Sequence, residues 1–428
     1  MTTLPILEGA AARRWIADRA GIETDSEARA AVEPIIAAVR ERGDAALREY
    51  TLKFDKVEAA SLAVGREQLR EALVSISSEQ RRALEQARQN IERFHRAQMR
   101  QEDCVEVAPG VSVWREFRPL ERVGIYVPGG RASYPSTVLM CGVPARLAGC
   151  SEIVICAPPG PDGQSPTAVL AAAELLGIER VFAVGGAQAI AALAFGTESV
   201  PRVDKIFGPG NRYVTAAKEL VYGTVNIDMP AGPSEVVVLA DQTARAAWVA
   251  ADLLSQAEHA PDTLAVCITT GREAAERIAA AVEAQLASLP APAAVAESLS
   301  RSAICVAEDL DTGVGWVDEL AAEHLTIMTE DDRATLARIG NAGSVFLGPY
   351  APVAAGDYAT GSNHVLPTGR RARAWAALSL DDFGRWVQVQ QLTAEGLAQL
   401  RATVSTLARW EGFEAHARAA EVRFEEER

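Results

Sequence analysis

Val181-Phe182-Ala183-Val184-Gly185-Gly186-Ala187-Gln188-Ala189-Ile190-Ala191-Ala192-Leu193 decides how this chain is built. An apolar run of strand length enters two glycines and leaves as an Ala- and Leu-rich helical pattern, which is one β-to-α unit of a sheet buried on both faces. The same pattern recurs at Val123 to Val127, Ile153 to Ala157 and Lys205 to Phe207. A second series follows at Val236 to Ala240, Leu264 to Thr269, Ala303 to Val306, Leu325 to Met328 and Ser344 to Leu347, separated by helical patterns such as Ala244 to Ala257 and Glu273 to Leu286. Alternating strands and helices predict an α/β chain with two parallel-sheet layers of similar plan.

Outward from these layers the pattern changes. Up to about Arg100 it is helical: Ser77-Ser78-Glu79-Gln80 fits a capping box, and Leu84, Ala87, Ile91 and Phe94 line one face. His95 beside that face reads as a surface or packing residue. Val105 to Val107 and Val111 to Val113 flank Pro109-Gly110 as a hairpin. Beyond Gly369 the chain reads as helical again, with Leu397, Leu400, Val404 and Leu407 on one face of a terminal arm that needs a surface to dock on.

Composition narrows the function. A formal charge of −15, from 42 basic and 57 acidic residues, disfavours nucleic acid and anionic membranes as partners and leaves small-molecule chemistry. Met1-Thr2-Thr3-Leu4-Pro5 carries no basic segment and apolar run, and no apolar stretch is of bilayer length, so a cytoplasmic location is expected. The six cysteines show no C-x-x-C spacing and read as small buried residues.

Three strand-to-helix turns are glycine-rich: Gly124 to Gly130, Gly185-Gly186-Ala187-Gln188 and Gly208-Pro209-Gly210-Asn211. Glycine is required by tight turns in any case, but it also lets a backbone approach a phosphate and frees the N–H groups of the next helix. None is G-x-G-x-x-G. If the turns form a nucleotide crevice, Tyr126, Gln188 and Asn211 are the side chains to touch it.

Gln256 and His259 in Leu253-Leu254-Ser255-Gln256-Ala257-Glu258-His259 are spaced i, i+3, which on a helix makes them neighbours while Glu258 points away. That is half of a zinc-type site or a polar helix face. Apart from His95, the histidines lie in polar or turn-rich stretches: His259, Glu323-His324, Asn363-His364, and His416 near Glu411 and Glu414. Asp357 adds a carboxylate. Glu323-His324, at a strand start, sets two proton handlers side by side, which suits a two-stage reaction with an imidazole base and a carboxylate that activates water. A rival nucleophile, Cys150, has no base near it in sequence.

Together these stretches resemble the histidinol dehydrogenase family over nearly the whole chain. The matching segments include Tyr126-Val127-Pro128-Gly129-Gly130, Val184 to Ala189, Phe207 to Asn211, Ala231-Gly232-Pro233-Ser234-Glu235, Ser255 to His259, Ala322-Glu323-His324-Leu325, Gly361 to Thr368 and Glu411-Gly412-Phe413-Glu414-Ala415-His416. The resemblance implies oxidation of L-histidinol to L-histidine through the aldehyde in two NAD-dependent steps, the last step of histidine biosynthesis, with zinc positioning the substrate. It implies that Gln256, His259, Asp357 and His416 hold the zinc. Ser234, His324, Glu411 and His416, together with the zinc set, would meet substrate, and Tyr126, Gln188 and Asn211 would meet NAD. Glu323 would activate water and His324 take the alcohol proton.

It further implies a homodimer with shared active sites and two incomplete Rossmann-like domains. The expected organisation is an N-terminal helical region over 1–101, an NAD-binding domain over 102–230, a second domain with the zinc and catalytic residues over 231–369, and a C-terminal helical arm over 370–428. Arg212 and the segment from Arg371 to Leu378 depart from the family's usual residues. Alternatives are a relative acting on another amino alcohol or diol, and a binding protein on the same scaffold.

Overall fold

The computed structural model describes residues 4–19, 25–58, 61–99, 103–129 and 133–425; Met1 to Thr3 and Gly130 lie outside the described residues. Two compact units emerge, one formed by Met1–Gln98 with Leu120–Phe383 and the other by Met99–Pro119 with Gly384–Arg428. In chain order the strands are β1 (Ile6–Glu8), β2 (Val105–Ala108), β3 (Val111–Pro119), β4 (Arg122–Tyr126), β5 (Glu152–Ala157), β6 (Arg180–Ala183) and β7 (Lys205–Phe207). They continue as β8 (Asn226–Ile227), β9 (Glu235–Ala240), β10 (Leu264–Thr269), β11 (Ala303–Val306), β12 (His324–Met328), β13 (Ser344–Leu347) and β14 (Gly384–Leu392).

The larger unit holds two parallel sheets. The first runs β6-β5-β4-β7-β8 and the second β1-β11-β10-β9-β12-β13. Counting each sheet's own strands in chain order gives 3-2-1-4-5 in both, with β1 added at the edge of the second. This is the doubly wound order short of its sixth strand, so the expected pair of incomplete Rossmann-like layers is present. Ligands bind such sheets beyond the carboxyl ends of the strands, where the order reverses, which in the first sheet is beside β4 and β7.

Both sheets are dry on both faces. Ile153 and Ile155 of β5 join one core while Val154 and Cys156 join the other, and Val236 and Val238 of β9 part from Val237 and Leu239 in the same way. The two-residue alternation of strand side chains makes this division, and it explains why these strands read as unbroken apolar runs.

The N-terminal region is not wholly helical. β1 pairs with β11 in register Ile6↔Ile304, and Ala12 and Ile16 of the helix Gly9–Arg19 enter the second sheet's core. The helix Ser26–Arg42 instead packs on the first sheet's core through Val32 and Val39. Three strand residues are too few to carry a period. The helix Ser78–Arg96 has the expected capping box at Ser77 and Gln80, and His95 is buried with Nδ1 on the Ile91 carbonyl at 3.0 Å, a packing histidine.

In the smaller unit β14-β3-β2 form an antiparallel sheet, with the hairpin at Pro109-Gly110 as expected. Residues 111–119, expected within the first Rossmann-like domain, thus ladder with Gly384–Leu392, and that stretch of the arm is a strand rather than a helix. Arg385-Trp386-Val387-Gln388-Val389-Gln390 is largely exposed on both faces, so no apolar face announced it. The helices Ala394–Trp410 and Glu414–Glu421 follow. Among the described residues no helix is long and apolar enough to cross a membrane.

Candidate active site

At the carboxyl ends of the first sheet the structure gathers Tyr126, Gln188 and Asn211 around one cavity of ≈ 1360 Å³. Tyr126 ends β4; its hydroxyl accepts from Gly186 N at 3.1 Å at the start of the helix Gly186–Phe195, and burial pushes its pKa up to about 12. Gln188 is buried with Oε1 unpartnered. Asn211 caps the helix Arg212–Val221, its Oδ1 accepting from Tyr213 N and Val214 N at 3.1 Å each, which leaves its amide N–H groups free for a ligand.

The glycines of these turns are held by contact. Gly208 has φ +111°, and a Cβ there would meet the Tyr126 carbonyl oxygen at 2.1 Å. Its N–H donates to Asp228 Oδ2 at 2.8 Å and its carbonyl accepts from Lys218 Nζ at 3.0 Å, while Lys218 and Asp228 form a buried ion pair. Arg212 is also explained: its guanidinium donates to Asp25 Oδ1 at 2.7 Å and Glu27 Oε2 at 2.9 Å, clamping the start of the helix Ser26–Arg42 to the Asn211 turn. Arg371 pairs with Glu219 at 3.2 Å.

The second sheet carries the carboxyl–imidazole pair expected from the sequence. His324 opens β12 beside β9 and Glu323 immediately precedes it, at the strands' amino ends, and both are buried. Glu235, the first residue of β9, orients both: its N–H donates to Glu323 Oε2 at 2.9 Å, and its carbonyl accepts from His324 Nδ1 at 3.0 Å. His324 Nε2 then faces Asp357 Oδ1 at 3.7 Å. Burial raises the Glu323 carboxyl above its ordinary value. Burial pulls His324 down, but the charges of Glu323 and Asp357 outweigh it and hold the ring up at about 9. Burial works to raise Asp357 too, yet the imidazoles around it, His324 first and then His364 and His259, bring it below the usual carboxylate range.

Gln256 sits in the last turn of the helix Ala246–Ala257, fully buried, with neither Oε1 nor Nε2 partnered. His259 lies beyond that helix, so the expected helical pair is corrected: a tight turn with His259 N on the Gln256 carbonyl at 3.1 Å replaces the continuous helix. His259 Nδ1 also meets that carbonyl, at 3.2 Å, which leaves Nε2 for a ligand. Among the described residues no three His, Cys, Asp or Glu side chains cluster as a metal cage. The chain offers Gln256, His259 and Asp357, one amide oxygen, one imidazole and one carboxylate. A zinc ion fits this set, because it accepts such donors and would meet the orphaned, dry amide of Gln256.

Ser234 precedes β9, its carbonyl accepting from Leu264 N at 3.1 Å. Glu411 and His416 belong to the smaller unit and are exposed there. Sequence reasoning assigned no role to Glu235 or His364. The first was quoted only as the end of Gly232-Pro233-Ser234-Glu235; the second, with Nδ1 on the Asp357 carbonyl at 3.2 Å and Nε2 unpartnered, was visible as a histidine in a turn. Cys150 is excluded as a nucleophile: burial pushes its thiol up to about 12, and it donates to the Phe383 carbonyl at 3.4 Å.

Two open parallel sheets of one topology, a glycine-edged crevice on the first and a buried carboxyl–imidazole pair on the second, define a dehydrogenase-type α/β enzyme. The chain belongs to the histidinol dehydrogenase family, whose family model matches residues 18–424. It is 48% identical to a histidinol dehydrogenase of Methanosarcina mazei over 92% of this chain and 91% of that one. It is also 48% identical to that of Vibrio cholerae over 96% and 95%. The crystal structure of histidinol dehydrogenase from Elizabethkingia anophelis superposes with a TM-score of 0.94 at 39% identity, covering 98% of each chain. Members of this family are NAD-dependent, zinc-binding oxidoreductases.

Proposed function

We propose that this chain oxidises L-histidinol to L-histidine through L-histidinaldehyde, in two NAD-dependent steps that close histidine biosynthesis, with Glu323 and His324 handling the protons. Gln256, His259, Asp357 and His416 would hold the zinc, which when bound would orient the substrate's amine and imidazole and offset part of the negative charge of Glu323 and Asp357 that raises His324, the hydride of each step going to NAD.

His324 takes the alcohol proton. Its Nδ1 is spent on the Glu235 carbonyl, so Nε2 is the atom that acts. Glu323 then activates the water that attacks the aldehyde; burial keeps its carboxyl basic enough to accept a proton, and the Glu235 N–H fixes the orientation of one oxygen. Ser234, beside Glu235, contacts substrate. Tyr126, Gln188 and Asn211 contact NAD.

The protein acts as a cytoplasmic homodimer in which a second copy supplies Glu411 and His416. Two facts support this: three zinc donors are too few for a tetrahedral site, and Val404, Leu407, Trp410 and Phe413 of the arm stand exposed.

The observation that carries the reading is the buried, doubly unpartnered Gln256 amide, in a helix packed on the sheet that carries the oriented Glu323–His324 pair. Purified protein given L-histidinol, NAD and zinc is expected to form histidine with NADH, to stop when a chelator strips the metal, and to restart on zinc. No NADH from metal-replete protein, or faster turnover of another amino alcohol, sinks it.

A further inference from the structure

The cavity that gathers Tyr126, Gln188 and Asn211 holds another polar group, which those three contacts do not use. Asp55 ends the helix Asp44–Asp55 and lines the cavity, and its Oδ2 is shut off from solvent without a hydrogen-bond partner. Its charge is felt at the Tyr126 hydroxyl, and burial pushes its own carboxyl up to about 6. A dry, unpaired carboxylate oxygen is costly unless a ligand brings a donor to it.

Parallel sheets that bind dinucleotides place the acid that meets the adenosine ribose at the end of the second strand. Here the second strand of the sheet, β5, runs into Pro158-Pro159-Gly160, which offers no carboxylate. Asp162 further along that loop spends Oδ1 on Gln164 N at 3.0 Å. Asp55 reaches the same cavity from the N-terminal helices. Lys53, the cation among the described lining residues, lies 5.8 and 5.3 Å from the rings of Tyr50 and Phe54, while Asp55, Glu71 and Asp162 set three acids against it. Such a wall suits a ribose diol and repels an added phosphate.

We propose that Asp55 accepts the 2′- and 3′-hydroxyls of the adenosine ribose of NAD and so excludes the 2′-phosphorylated dinucleotide. This rests on the reading of the cavity as the NAD site. The test is calorimetric titration of full-length, zinc-loaded protein with NAD and with NADP, for wild type, Asp55→Asn, Asp55→Ala and Gln188→Ala, beside steady-state KM and kcat. Asp55→Ala is expected to weaken NAD about tenfold or more, the usual loss with a charged hydrogen bond, and to raise KM for NAD while KM for histidinol holds. Asp55→Asn is expected to raise the NADP-to-NAD affinity ratio, and it carries the test should the alanine variant misfold.

An unchanged NAD affinity in both Asp55 variants, with NAD weakened in Gln188→Ala, overturns the role of Asp55 and leaves the cavity as the NAD site. NAD affinity unchanged in all three overturns both.

Discussion

The backbone N–H of Glu235 donates to the Glu323 carboxylate at 2.9 Å, from the strand neighbouring the one that Glu323 immediately precedes. Because the carbonyl of Glu235 also takes His324 Nδ1, one residue of β9 orients both the Glu323 carboxyl and the His324 ring, and their orientation depends on the β9–β12 register.

Glu323→Gln keeps that N–H contact and removes the base. It is expected to slow the aldehyde-to-acid half by roughly 10²- to 10⁴-fold, the usual range for a lost general base, and the alcohol half far less. Feeding histidinol and histidinaldehyde separately under stopped flow distinguishes them; equal slowing of both halves removes the assignment.

His259→Ala and His416→Ala proteins are each expected to be inactive. Mixed under conditions that exchange subunits, they should recover up to about a quarter of wild-type activity, because one site in a mixed dimer receives intact His259 and His416. No recovery after proven exchange points to sites built within one chain.

Lys218→Met leaves Asp228 charged in the core beneath the Gly208 turn without its cation, keeping only the backbone N–H donors of Gly208 and Met229. A loss of roughly 3–5 kcal/mol in urea unfolding is expected, with KM for NAD raised as the turn loosens. Replacing Asp228 as well should return much of the stability, since the isolated charge is what costs.

Asp252, buried in the helix Ala246–Ala257 with Oδ2 unpartnered, has its carboxyl pushed from 3.8 up to about 6 by burial. The folded chain therefore binds this proton more tightly than the unfolded one, and its contribution to stability falls as pH rises from about 4 to about 6. Asp252→Asn should match wild type near pH 4 and be more stable by roughly 1–3 kcal/mol at pH 7. A thermal-unfolding series across that range reads the difference, and parallel curves refute it.

Gly343 packs where a Cβ would lie 2.6 Å from the Glu323 carbonyl oxygen, so the site is defended by backbone as well as by side chains. No pattern in the chain foretold that contact, whereas the strands it supports were plain: an apolar run flanked by glycine and Ala-rich helix has one low-energy use, a strand buried on both faces. Both sheet layers, the three glycine turns and the Glu323-His324 pair were legible for that reason. Local chemistry alone reads them.

The strands β1 and β14 were not, because a short or two-sided exposed strand is held by its neighbours' hydrogen bonds rather than by its own side chains. Likewise Gln256 and His259 were visible as ligand types, yet only the folded chain ends the helix at Ala257 and sets His259 in a turn beyond it. Residue types, spacing and periodicity determined the α/β layers and the kind of chemistry. Tertiary structure decided which carboxyls are dry, which imidazole nitrogen stays free and which glycines cannot change, since each depends on atoms brought together from distant parts of the chain.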